Sequence, residues 1–167
     1  MAWQITLEVS DARWRQALPN LALLIRAALH AVPHPSGTPS QLAVVLASDG
    51  FVAALNGRYR HQHKPTNILS FPAWAEDELV DTTTPGGEIL GDLILAYETV
   101  TQEAEAAHKP LAAHLSHLLI HGLLHLLGAD HHTEAEAEAM ERREIALLAS
   151  LGFSNPYEDP YKSEAGS

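Results

Sequence analysis

Three histidines stand in one short run, HGLLHLLGADH, in which His121 and His125 are separated by three residues and His131 follows a glycine, Gly128. Residues four apart on a helix share a face, with Cβ atoms roughly 5 to 6 Å apart, so two imidazoles at that spacing can reach one ion. Glycine at Gly128 lets the chain leave the helix through a left-handed turn, which allows His131 to fold back as a third ligand. Three neutral imidazoles leave a fourth coordination position open, the mark of a catalytic rather than a structural zinc site. A lone H-x3-H pair is more often two ordinary polar residues on an amphipathic helix. With 11 His and 10 Gly in 167 residues, however, the whole H-x3-H-x2-G-x2-H pattern has a chance expectation of about 0.003.

Seven of the 11 histidines lie between His108 and His132. His117 and His114 stand about one and two turns before His121 on a similar helix face, where a partner that orients a ligand and a satisfied core histidine are equal readings. Asp130 and His132 flank the third ligand and read as turn and helix-start residues. The spacing also resembles zinc peptidases, but Gly122 stands where those enzymes place the glutamate that activates water. Zinc is the expected ion. Spacing alone leaves nickel or another divalent transition metal open, because affinity order and cellular supply both intervene.

The rest of the composition narrows the class. The chain has no cysteine, which removes thiolate sites and disulfides and leaves nitrogen and oxygen ligands. Apolar residues make up 46% and charged residues 19%, as in a globular domain, and no segment approaches the roughly 20 apolar residues of a membrane helix. Met1 to Ser10 holds no basic region followed by an apolar stretch, so a cytoplasmic location is expected. The formal charge of −11 argues against broad adhesion to nucleic acid. Yet Gly50 to Ala75 contains no Asp or Glu while Arg58, Arg60 and Lys64 fall close together, and a local basic patch can survive a negative total.

The elements that must carry these residues are legible from periodicity. Trp3 to Val9 alternates as a half-buried strand, with Trp3, Ile5, Leu7 and Val9 on one side. Trp14, Leu18, Leu21, Leu24, Ile25, Ala28 and Leu29 recur at helical spacing, with Pro19 dividing the segment. Strands are expected at Leu42 to Leu46, Asn67 to Phe71 with Pro72 ending it, and Glu88 to Ala96; Phe51 to Arg60 reads as a short helix. Ala73 to Gly87 reads as an exposed loop. Helices follow at Tyr97 to His108, Leu111 to Leu127, and Glu134 to Leu151, the last behind a capping box of Thr133 and Glu136. The expectation is one α+β domain over residues 1–153, a small mixed sheet of about four strands with five or so helices, and a loose tail over 154–167.

Three blocks, HGLLHLLGADH from His121 to His131, LNGRYRHQHKPTNILSFP from Leu55 to Pro72, and ILGDLILA from Ile89 to Ala96, resemble the YbeY-type endoribonucleases, a family linked to bacterial ribosomal RNA maturation. The resemblance implies a single α+β domain that holds zinc through His121, His125 and His131. It also implies that Arg60 is needed for RNA cleavage, a role suited to a guanidinium that can grip a phosphate bidentately and stabilise charge building on its oxygens. One departure is visible, since the family commonly has tyrosine where this chain has Ala129.

The activity so implied is a metal-dependent, single-strand-specific endoribonuclease acting in small-subunit ribosomal RNA maturation and ribosome quality control. Its partners would be single-stranded RNA, ribosomal RNA and the small ribosomal subunit, with no DNA and no membrane. A zinc peptidase and a noncatalytic, zinc-containing ribosome-assembly factor are the competing readings. Lys64 to Asn67 reads first as a rigid turn and second as an RNA contact. Gly91 and Asp92 suit either a close backbone approach near the cleft or a strand bulge. Tyr59, Phe71 and Trp74 could stack bases, although isolated aromatics are more often core.

Overall fold

The computed structural model describes residues 3–35, 40–60, 66–73, 88–128 and 133–158. Four strands form one mixed sheet. β1 (Trp3–Val9) lies parallel to β2 (Ser40–Ala47), β2 lies parallel to β4 (Glu88–Ala96), and β3 (Ile68–Pro72) pairs antiparallel with β4 at the far edge, giving the order β1-β2-β4-β3.

Six helices accompany the sheet among the described residues: α1 (Arg13–Ala17), α2 (Leu21–His30), α3 (Asp49–Arg60), α4 (Tyr97–Ala106), α5 (Leu111–Leu126) and α6 (Glu134–Ser150). The expected α+β class therefore holds, and Pro19 separates α1 from α2 as the sequence suggests. Most boundaries fall within two residues of expectation. At α6 the threonine cap is present, with Thr133 Oγ1 accepting from the Glu136 N–H at 3.1 Å.

Strand alternation divides the core between the two sheet faces. Leu42, Val44, Leu46, Leu93 and Leu95 face the larger cluster, which is filled by Trp14, by Leu21, Ile25 and Leu29 of α2, and by Leu115, Leu119, Ile120 and Leu123 of α5. Ala47, Leu69, Phe71, Ile94 and Ala96 face the other way, where Val52 of α3 covers them. Two buried indoles tie elements together, Trp3 donating to the Val32 carbonyl at 2.8 Å and Trp14 to the Ala47 carbonyl at 2.9 Å.

α5 is the central helix, packed against α2, α4, α6, β3 and β4. Its contact with the sheet is made through Gly122. A Cβ there would meet Leu93 Cδ2 at 2.8 Å, Ile68 Cδ1 at 3.0 Å and Ser70 Oγ at 3.3 Å. The missing side chain thus allows the helix to lie directly on β3 and β4. A second close approach joins the strands, for a Cβ on Gly91 would stand 2.4 Å from the Phe71 carbonyl oxygen. The β2–β4 register also slips here, between Gln41 and Leu42, so both readings of Gly91 are realised in one place.

The segment expected to be a loose tail begins as docked chain. The Lys109 ammonium donates to the Pro156 carbonyl, and Tyr157 donates its hydroxyl to Glu144 at 2.6 Å. Residues 159–167 lie outside the described residues, as does most of the expected loop, 74–87. No described helix is long and apolar enough to cross a membrane.

Candidate metal centre

α5 lies along the edge strand, and the space between them is a cavity of about 500 Å³. Asn67, Ile68, Leu69, Ser70 and Pro72 form one wall; His117, Leu118, His121, His125 and Leu126 form the other, with Tyr157 at the side. A volume of this order suits a small-molecule or nucleotide-sized group.

The structure brings His121 and His125 together as the helical spacing predicts, their ring centroids 4.7 Å apart and the planes at 79°. Gly128 adopts φ +94° just beyond the helix and donates its N–H to the His125 carbonyl at 3.0 Å, so the left-handed exit is present. The third expected ligand, His131, lies outside the described residues together with Ala129, Asp130 and His132. Among the described residues no group of three or more metal-ligating side chains is assembled.

His117 and His114 resolve into different roles. His117 Nε2 donates to Glu144 Oε1 at 2.6 Å, and its ring packs edge-on against Tyr157 with centroids 5.3 Å apart. His114 Nε2 pairs instead with Glu103 Oε1 at 2.9 Å, and Asn67 Nδ2 donates to the same oxygen at 3.1 Å. That bridge ties α5 and α4 to the residue that leads into β3. Asn67 therefore braces the entry to the strand while lining the cavity, whereas Lys64 and Pro65 lie outside the described residues.

Glu144 is the group that sequence reasoning missed. It is fully buried on α6, and its Oε2 accepts from Nδ1 of His121 at 3.0 Å while Oε1 takes the contacts from His117 and Tyr157. Burial alone pushes this carboxyl up, but the hydrogen bonds from His117, His121 and Tyr157 outweigh it and hold the group at about 2. Burial, reinforced by the neighbouring carboxylate, pushes the Tyr157 phenol well above the usual tyrosine range, so it remains a donor. A signal did exist in the sequence. Met140, Glu144 and Leu148 lie four apart on one face of α6 and all three are buried, so the lone acid stands in an apolar stripe that calls for partners.

Arg60 is the last residue of α3, and its side chain, like that of Tyr59, is outside the described residues. Trp74 is outside them too, and Phe71, at 8% exposure, belongs to the core beneath α3. Asp92 is exposed on β4, opposite Phe71 in the strand pairing.

The donor chemistry fits a divalent transition metal. Two imidazoles converge on one cavity wall, and one of them has its other nitrogen held by a carboxylate, the usual arrangement behind a metal-bound histidine. Fold and site together define an α+β domain with a histidine-lined cleft beside its edge strand. The chain belongs to the endoribonuclease YbeY family, whose model matches residues 6–152. It is 43% identical over 164 residues to Endoribonuclease YbeY of Gluconobacter oxydans, covering 95% of this chain and 90% of that one. It is 53% identical over 123 residues to the protein of that name in Magnetococcus marinus, covering 71% and 84%. The solution structure of TM1509 from Thermotoga maritima matches the fold with a TM-score of 0.51 at 20% identity, over 93% of this chain and 99% of that one.

Proposed function

We propose that this protein is a metal-dependent endoribonuclease that cleaves single-stranded RNA during maturation and quality control of small-subunit ribosomal RNA. The observation that carries the reading is the pairing of His121 and His125 on the wall of a cavity of about 500 Å³, in a chain of the endoribonuclease YbeY family. His121, His125 and His131 would hold the ion, zinc in the first instance and nickel as the nearest competitor. Such an ion supplies Lewis-acid polarisation of the scissile phosphate.

The chain's own groups supply the remainder. Glu144 holds the His121 ring in one orientation, and Asn67 and Ser70 line the strand wall opposite the histidines. Arg60 is assigned to the phosphate, where its planar fork would stabilise developing charge. The stretch from Gly50 to Ala75, free of acids, supplies a basic approach in an otherwise acidic protein.

The peptidase reading loses further ground, because the position that would need a glutamate is packed against Leu93 and Ile68. No observation favours a purely structural metal. The test is to incubate metal-loaded and chelator-treated protein with one RNA sequence as single strand and as duplex. Cleavage of the single strand only, lost on chelation and restored by zinc, is expected. Failure of the metal-loaded protein to cut any single-stranded RNA would refute the proposal.

A further inference from the structure

We infer that Glu144 is the positioning residue of the metal centre: from α6 it accepts the Nδ1 proton of His121 and so presents the opposite ring nitrogen, Nε2, to the ion, while Tyr157 and His117 hold the carboxylate in place. The inference rests on reading His121, His125 and His131 as the ligands.

The geometry is specific. Both oxygens of Glu144 are engaged, Oε2 by His121 Nδ1 at 3.0 Å, and Oε1 by His117 Nε2 at 2.6 Å and by the Tyr157 hydroxyl at 2.6 Å. An ionised carboxylate only accepts, so every nitrogen and oxygen facing it must carry the proton. His121 is therefore held as the Nδ1–H tautomer, whose basic nitrogen is Nε2. A neutral imidazole coordinates through its unprotonated nitrogen, and the partner of the other nitrogen decides which one that is.

A carboxylate at 0% exposure would be costly to bury without such donors. His117 cannot offer Nε2 to the same metal while donating it to Glu144. That separates its role from those of His121 and His125, although all three face one cavity. Tyr157 extends the device to the C-terminal segment. Its ring stands against His117 with centroids 5.3 Å apart, and Lys109 anchors the preceding Pro156 carbonyl, so the chain beyond α6 forms part of the support for the metal-binding face.

Replacement by glutamine separates this role from simple space filling. Glutamine has nearly the same shape but one acceptor oxygen and one NH₂. If the NH₂ faces His121, the imidazole must accept on Nδ1 and the proton moves to Nε2, the nitrogen the metal needs. If the NH₂ faces the other way, it meets His117 and the Tyr157 hydroxyl, which must both reverse their roles.

The experiment measures zinc affinity by competition with a chromophoric chelator for the full-length wild-type protein and for His125→Ala, Glu144→Gln and Tyr157→Phe. Folding is checked by circular dichroism. Alongside, the tautomer of His121 in metal-free protein is read from long-range ¹⁵N–¹H correlations. Glu144→Gln should weaken zinc about 10- to 100-fold, and Tyr157→Phe should weaken it less while leaving the fold intact. Wild-type His121 should be the Nδ1–H form.

An Nε2–H His121 in the wild type would overturn the inference, as would wild-type zinc affinity in a folded Glu144→Gln protein whose His121 has switched to the Nε2–H form. If Glu144→Gln does not fold, Tyr157→Phe and the wild-type tautomer decide, and unchanged affinity in Tyr157→Phe removes that residue from the device. Absence of zinc binding by the wild type, with the Nδ1–H tautomer observed, would instead refute the ligand assignment beneath it.

Discussion

Gly122 and Leu93 approach so closely that a Cβ on the glycine would stand 2.8 Å from Cδ2 of the leucine. The central helix rests on the sheet through this contact, so the position that distinguishes the chain from a zinc peptidase is also a packing position. Forcing extra atoms into a filled core typically costs about 1 to 3 kcal/mol. Replacing a mid-helix glycine by alanine returns about 1 kcal/mol through helix propensity. Gly122→Ala should therefore be mildly destabilised, and Gly122→Glu severely so, because it adds a buried charge. Urea unfolding of the three proteins checks the order. A Gly122→Glu protein of wild-type stability, or one that cleaves peptides, would remove the packing argument.

The imidazole pair of His121 and His125 leads to a prediction about metal loading. About one ion per chain is expected, and His125→Ala should lose most of it because two remaining ligands make a weak site. Metal analysis of protein purified without added metal, with and without the substitution, decides this. Imidazole must be neutral to bind, so affinity should fall as pH drops through the ordinary histidine range near 6.5. Near-full occupancy in His125→Ala would contradict the ligand set.

How much of this was legible in the sequence depends on the range of the interactions involved. The His121–His125 pair and the turn at Gly128 are local, set by helical period and by backbone freedom at one residue, and both appear where expected. The same holds for Pro19 and for the cap at Thr133. The network around Glu144 is not local. It joins His117, His121, Glu144 and Tyr157 from two helices and a terminal segment, and neither the Glu-rich start of α6 nor the polar tail announces the meeting. The ambiguity of His114 and His117 had the same origin, since their partners, Glu103 and Glu144, lie 11 and 27 residues away.

Glu144 also predicts an acid limit to stability. Its carboxyl is held at about 2 in the folded chain against an ordinary 4.5. A group whose folded value is depressed stabilises the fold above the unfolded value and loses that contribution as pH falls toward the folded one. Metal-free protein should therefore lose stability between about pH 5 and pH 2, and in Glu144→Gln that part of the loss should be absent. Urea unfolding at pH 6 and pH 3 for both proteins measures the difference. Equal loss in the two would mean that other carboxylates carry the acid transition.

The last prediction concerns Arg60, which ends α3 seven residues before Asn67 at the cavity wall. If its guanidinium stabilises charge on the scissile phosphate, Arg60→Lys should keep the fold and the metal yet lose turnover, because lysine is a point charge without the planar fork. A donor that acts mainly in the transition state is worth about 10² to 10³ in rate, so a defect of that order with little change in RNA affinity is expected. Single-turnover cleavage with saturating enzyme separates chemistry from binding. Unchanged cleavage by metal-loaded Arg60→Ala would end the proposed role. Weaker RNA binding with normal turnover would place Arg60 among the contacts that hold the phosphate backbone in register without acting on the reaction.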